Sequence, residues 1–296
     1  MQSLDRIILG GNPLSGVDHF LPERARMRVG SITDEMAASI IVQSSKAGAQ
    51  GFNFGVTNGM IAILRKLNER KLDCPLGLYP IIPDTQRYVS TQLRRGTIGL
   101  ISEVMGSMGI GAAGALLRGG LSLSRLDPLK AMTVLIDLEV SKVLKVVSSM
   151  AKIKALFLHE AITDLAVAYQ AEGVLQAYAD YVTKKYDFLP GFVTRNFPAF
   201  IDASSRLSLN HDKFVVMSPF NSMGFQMTPS REQCESSLRE HSDYNVIAMS
   251  VLAGGQLGVQ EAIRYLKYLK PKSVCVGVSA SAHAIETFQM LKNELA

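Results

Sequence analysis

The stretch IKALFLHE, Ile153–Glu160, runs from a continuous apolar segment straight into a titratable pair. A strand buried on both faces reads as an unbroken apolar run, because neither side of it meets water. Seven further runs of the same kind flank it: Arg6–Leu9 (RIIL), Gly51–Phe54 (GFNF), Leu76–Ile82 (LGLYPII), Gly191–Thr194 (GFVT), Lys213–Met217 (KFVVM), Asn245–Val251 (NVIAMSV) and Ser273–Val278 (SVCVGV). Most are followed by a helical pattern, such as Thr33 to about Lys46, where Ile40, Ile41 and Ala47 share a face and Gly48 gives a stop signal. Repeated strand–helix units predict a parallel sheet. Eight of them in 296 residues predict an α/β fold of the closed (β/α)8 TIM-barrel type rather than an open doubly wound sheet. No GxGxxG follows the first strand, which also disfavours the open dinucleotide-binding sheet.

One domain, residues 1–296, is expected, with a long helical insertion over 84–127 after the third strand. The centre of that insertion, Thr97–Leu117, carries one charged residue, Glu103, and five glycines. Its uncharged part, Val104–Leu117, is 14 residues long, short of the roughly 18–20 a membrane span needs. No membrane partner is therefore expected, and the segment 94–124 reads as a buried excursion, a lid over the barrel mouth or a homo-oligomer interface. Pro128–Lys152 reads as the barrel's third helix.

Hydrophobic residues make up 47% and charged residues 19% of the chain, which excludes disorder. The net charge of +5 is concentrated in 86–130, where Arg87, Arg94, Arg95, Arg118, Arg125 and Lys130 face only Glu103 and Asp127. A local excess of this kind suits an anionic small molecule and disfavours nucleic acid. Three distant cysteines, Cys74, Cys234 and Cys275, give neither a disulfide framework nor zinc spacing. The opening MQSLDRIILGGNPLSG lacks a secretory apolar core, so the cytoplasm is the expected compartment.

In such a barrel the reactive groups follow the strands. That rule selects Asn12, Ser15, Asp18 and His19 after strand one, Thr57 and Asn58 after strand two with Asn53 inside it, and Asp84 after strand three. His159-Glu160 follow strand four, Thr194, Arg195 and Asn196 strand five, and Ser218 and Asn221 strand six. His159 is the best general acid/base, because imidazole titrates near neutrality. Glu160, His19 and Asp84 are the other candidate catalytic groups, and Asn12, Asn53, Thr194, Arg195 and Asn196 the candidate substrate-binding groups. No HxH or HExxH spacing joins His19, His159, Glu160 and Asp84, so no metal site is assigned. Gly254-Gly255 and Ser279-Ala280-Ser281 follow strands seven and eight, where barrels commonly bind phosphate through backbone N–H groups. Gly254, Gly255, Ser279 and Ser281 are thus the candidate anion or cofactor residues. His211, His241 and His283 read as surface residues.

Several of these segments resemble the aldo-keto reductase superfamily. AGAQGFNFGVTNG (47–59) is similar to its second-strand segment GxNFFDTAxxYG, and IKALFLHE (153–160) to the fourth-strand segment that ends in the catalytic His. GFVTRNF (191–197) resembles GVSNF, and VVMSPFNSMG (215–224) the sixth-strand segment. VIAMSVLAGGQL (246–257) and VCVGVSASAHAIET (274–287) resemble the last two. The likeness covers six of eight strand regions in order. It implies the barrel scaffold, a His at 159, a carboxamide-binding pair at Thr194 and Asn196, and NAD(P) as cofactor. Of the family's Asp, Tyr, Lys and His tetrad only the His has a counterpart. The Asp position falls at Gly55 or Val56, and the third strand ends in Tyr79-Pro80-Ile81-Ile82 with no Lys. The basic residue that contacts the adenosine phosphate has no counterpart either, although His283 stands nearby. The proton donor of carbonyl reduction is missing, and the residues themselves assign no cofactor.

The leading expectation is therefore an enzyme on an aldo-keto-reductase-like barrel that acts on a small anionic or phosphorylated metabolite, with His159 as general acid/base. The alternatives are an NAD(P)-dependent oxidoreductase with a relocated donor, Tyr79 or His19, and a non-catalytic binding or assembly protein that uses its Gly/Ala/Met-rich excursion.

Overall fold

The computed structural model describes residues 3–15, 32–70, 75–84, 128–147 and 151–295, without the side chains of 128–131. The expected insertion, the basic residues within it and the 94–124 segment lie outside these residues, as do Asp18 and His19.

The strands are β1 (Ile7–Gly10), β2 (Gly51–Gly55), β3 (Leu76–Ile82), β4 (Ala151–Ile153), β5 (Ala155–Leu158), β6 (Leu189–Val193), β7 (Val215–Pro219), β8 (Val246–Met249) and β9 (Ser273–Gly277). Each pairs in parallel with its neighbours, and β1 pairs with both β2 and β9, so the sheet closes. β4 and β5 together form one barrel strand, which makes eight. The interruption has its cause on the neighbouring strand. Leu78 faces Ile153 and Ile81 faces Phe157, so three steps along β3 oppose four along its neighbour. Pro80 has no N–H to give to the ladder, and the extra residue is a bulge at that point.

Around the barrel lie α1 (Asp34–Ala47), α2 (Asn58–Glu69), α3 (Pro128–Leu144), α4 (Glu160–Ala168), α5 (Glu172–Tyr186), α6 (Phe197–Ser204), α7 (Arg231–Glu240), α8 (Val259–Leu269) and α9 (Ser281–Leu295). α3 ends at Leu144 rather than at Lys152, and Ala151–Ile153 is already strand, so the expected boundary is corrected. The chain leaves α3 through Lys145-Val146-Val147, where two β-branched residues in succession weaken a helix. No helix among the described residues is long and apolar enough to cross a membrane.

Period-two alternation sorts the strand residues into two cores. Ile8, Tyr79, Phe157, Val193, Val215, Met217, Ile247 and Cys275 fill the barrel. Ile7, Leu9, Phe52, Phe54, Leu156, Phe192, Val216 and Val274 face the helices. Glycine makes room for the two largest interior rings. A Cβ at Gly51 would stand 2.6 Å from the Tyr79 ring, and one at Gly191 2.5 Å from the Phe157 ring. Among the described residues these side chains fill the barrel interior, which leaves the strand ends to receive a ligand.

Candidate active site

An open cleft of about 700 Å3 lies across the C-terminal ends of β8 and β9. Asn53 and Cys275 reach it from the barrel interior, Gly10 and Asn12 from the end of β1 and the turn after it, Glu160 from the start of α4, Arg195 from the loop after β6, and Gln260 and Glu286 from α8 and α9. Burial pushes the Cys275 thiol up to about 12, so it is no nucleophile at neutral pH.

Seven of the residues expected from sequence line this one cleft: Asn12, Asn53, Glu160, Arg195, Gly254, Gly255 and Ser279. Asn53 is fixed from within the sheet, its carboxamide donating to the Tyr79 carbonyl at 2.7 Å. Arg195 donates to Glu160 at 3.0 Å. Beneath that pair, Asp164 accepts the Thr194 hydroxyl at 2.5 Å and the Arg195 N–H at 3.2 Å. Burial raises the pKa of Asp164, against the two hydrogen bonds that lower it. Nothing in the strand-end pattern marks Asp164, since it lies in the second turn of a helix.

Other expected residues stand beside the cleft. His159 caps α4, its Nδ1 accepting the Ala161 N–H at 3.1 Å, with Glu160 Oε2 3.7 Å from the same nitrogen. An Nδ1 that accepts leaves the neutral ring's proton on Nε2. Asn196 caps α6, its side-chain oxygen accepting the Ala199 N–H at 3.2 Å. Thr194 is buried against Asp164. Neither lines the cleft, because the loop after β6 uses both to anchor itself. Asp84 follows β3 away from the lining, and Ser281 opens α9 without joining it. Tyr79, the relocated donor of the oxidoreductase alternative, points the other way: its hydroxyl bonds Asp5 at the N-terminal end of the barrel. No group of three metal-ligating side chains occurs among the described residues.

The Gly254 and Gly255 pair is needed for its backbone, with φ of 69° and 89°. Left-handed backbone extends to three non-glycine residues around it, Gln226, Ser250 and Ala253, and the Ser250 hydroxyl holds Gln226 at 3.2 Å. The Gly255 N–H is spent on the Leu252 carbonyl at 2.8 Å, which corrects its expected role as an anion donor. The loop instead delivers the N-terminus of α8. Gly258 precedes that helix with no side-chain cap, and Gly258, Val259 and Gln260 all line the cleft. The first N–H groups of a helix have no intrahelical partner and carry partial positive charge.

Sequence reasoning missed the α9 side. His283, Glu286, Thr287 and Met290 line the cleft at i, i+3, i+4 and i+7, one face of the helix. That spacing is visible in the sequence, but which face meets the barrel mouth is not. His283, read as a surface residue, is exposed and lines the cleft as well.

Fold and site together define a (β/α)8-barrel protein with an open cleft at its mouth. Its barrel is similar in fold to those of solved aldo-keto reductases. An aldo-keto reductase from Bacillus halodurans, solved in its holo form, matches 97% of this chain over 86% of its own, at a TM-score of 0.58 and 9% identity. One from Brucella melitensis matches 98% over 90%, at 0.53 and 12%. The Bombyx mori enzyme, in complex with NADP, matches 100% over 90%, at 0.54 and 9%. TM-scores of 0.53 to 0.58 at these identities establish a likeness of fold alone. No protein-family model and no curated protein sequence matches the chain.

Proposed function

We propose that the chain is an enzyme of the aldo-keto-reductase fold that takes a small phosphate-bearing metabolite in this cleft, with His159 as general acid/base. The observation that carries the reading is the uncapped start of α8, opening onto the cleft beside Gly254 and Ser279. Backbone N–H groups at a helix N-terminus favour an anion there. The left-handed backbone at Gln226, Ser250 and Ala253 supports it, since such strain concentrates at ligand sites.

His159 contributes through Nε2. With Nδ1 accepting from Ala161, the neutral ring carries its proton on Nε2, the atom through which His159 would donate to a substrate oxygen, whereas full proton transfer requires the imidazolium. Protonating Nδ1 ends its acceptance from Ala161, and Glu160 lies near enough to take over that nitrogen. Proton transfer at His159 is thus coupled to the first turn of α4. Two buried thiols, Cys234 and Cys275, suit a reducing cytoplasm.

A nicotinamide dinucleotide in the same cleft is the second reading, favoured by the cleft's length from the barrel axis to α9. The α8 N-terminus, Gly254 and Ser279 would hold its diphosphate, and Asn53 and Asn12 would meet the nicotinamide end. Such a group supplies hydride chemistry when bound. The chain's own part would be to orient it and, through His159, to polarise the reacting oxygen. Tyr79, turned to the opposite end of the barrel, supplies no proton to that chemistry.

Thermal unfolding in millimolar pyrophosphate, sugar phosphates and NADH tests both. A phosphate-bearing compound is expected to raise the melting temperature of the wild type, and Ser279→Asp is expected to abolish the shift. His159→Gln should keep the shift and lose turnover of the stabilising compound. Absence of any shift across the set would overturn the reading.

A further inference from the structure

Three residues in a row leave β6 at the barrel mouth, and two of them are committed to structure. Thr194 gives its hydroxyl to Asp164 at 2.5 Å, and Asn196 caps α6. Arg195, between them, is pinned by its backbone. Its N–H donates to Asp164 at 3.2 Å, and its carbonyl accepts the Thr228 N–H at 2.9 Å. Its side chain lines the cleft, where among the described residues there is no second arginine and no lysine.

Glu160 stands between that guanidinium and the His159 ring. Its Oε1 accepts from Arg195 Nη2 at 3.0 Å, and its Oε2 lies 3.7 Å from His159 Nδ1. The first contact is a charge-assisted hydrogen bond, and the second is too long to be one. Arg195 thus offsets the Glu160 charge while His159 Nδ1 accepts from Ala161. Asp164, the other carboxylate of the group, is committed to Thr194 and the Arg195 N–H, so it does not take the part of Glu160.

A planar carboxylate matches the guanidinium fork of arginine. A ligand carboxylate at Arg195 draws on the same positive charge that offsets Glu160. The negative charge beside His159 Nδ1 then grows, and a nearby opposite charge favours the protonated ring. The proton comes from solvent, and Nδ1–H then donates to Glu160.

We infer that Glu160 is a switch between Arg195 and His159, and that a ligand carboxylate bound at Arg195 turns it towards His159. The imidazolium that serves as general acid therefore forms when an acidic substrate is in place. Arg195 is the group that touches the ligand, and Glu160 is a positioning residue that acts through His159. This rests on the reading of His159 as general acid/base and adds a carboxylate to the substrate class proposed for the cleft.

NMR of the imidazole nitrogens in the purified, histidine-labelled chain tests the switch, with the His159 signals assigned from His159→Gln. The probes are pyruvate and its neutral amide, at millimolar concentration and neutral pH, with binding read from the backbone amides around Arg195. Pyruvate is expected to move the His159 nitrogens towards imidazolium positions, and the amide is not. Arg195→Met should weaken pyruvate binding about tenfold, as loss of a charged hydrogen-bond partner does. Glu160→Gln, nearly isosteric, should still bind pyruvate but leave the His159 nitrogens unmoved. Pyruvate binding without a His159 response, or a response that persists in Glu160→Gln, would overturn the switch. Absence of saturable binding that depends on Arg195 would overturn the carboxylate site. Neither result bears on the phosphate-dependent rise in melting temperature, so failure of the switch and failure of the phosphate reading are told apart.

Discussion

Tyr79 shows how the placement of one hydroxyl decides what a side chain is for. Its ring fills the barrel between Gly51 and Phe157, and its hydroxyl donates to Asp5 Oδ2 and accepts the Asp5 N–H, both at 2.9 Å. Lys154 closes the group, reaching Asp5 Oδ1 at 2.5 Å. Burial first, and the Asp5 charge second, push the phenol far above its ordinary range, so it keeps its proton at any working pH. The three residues plug the N-terminal end of the barrel. Tyr79→Phe leaves the Asp5 N–H and carboxylate each short of one bond and should cost about 1–3 kcal/mol of stability. Urea unfolding measures that cost, and ligand affinity at the opposite end should not change. Lost affinity with unaltered stability would contradict the assignment. Tyr79 was legible in the sequence as a buried strand residue, but the direction of its hydroxyl was not, because Asp5 and Lys154 meet it only through the closed sheet.

At the level of elements, α4 organises the loop after β6. Its first residues supply the His159 cap and Glu160, and Asp164 one turn later takes the Thr194 hydroxyl and the Arg195 N–H. The raised pKa of Asp164, caused chiefly by burial, fixes the sign of its pH effect. A carboxyl with a folded value above its unfolded one binds its proton more tightly when folded. Its contribution to stability is full below the unfolded pKa and falls as pH rises through the folded pKa. Asp164→Asn should remove that fall, which denaturant titrations from pH 3.5 upward would detect as a flatter profile. A steeper loss of stability with rising pH in the variant would contradict the placement. Elements of this kind divide into those the sequence announces and those it does not. Continuous apolar runs such as ALFL and FVVM mark strands by themselves, because burial on both faces removes every polar position. The break between β4 and β5 is not announced, since its cause, Pro80, lies on another strand. α3 ends early for a similar reason: Ala151–Ile153 pairs with Leu76–Leu78, a non-local bond that helical periodicity does not register.

For the whole molecule, the cleft is where the two last strand–helix units meet the barrel axis. The strand-end rule reached half of it, since Gly254, Gly255 and Ser279 follow directly from β8 and β9. The other half belongs to α9 and to the start of α8, whose orientation is set by packing: α9 lies against α1 and α8. The central claim is that the α8 side of this cleft, at the helix N-terminus and Ser279, rather than its axis side or the pair of Glu160 and Arg195 within it, receives the phosphate of the proposed ligand. Tungstate is a heavy tetrahedral oxyanion and can be located directly by its anomalous scattering. A crystal of the chain soaked in tungstate should show its strongest anomalous peak between the N-terminus of α8 and Ser279, within hydrogen-bond distance of the Val259 and Gln260 N–H groups. A cleft without a peak there, or a stronger peak on Arg195, would contradict the account.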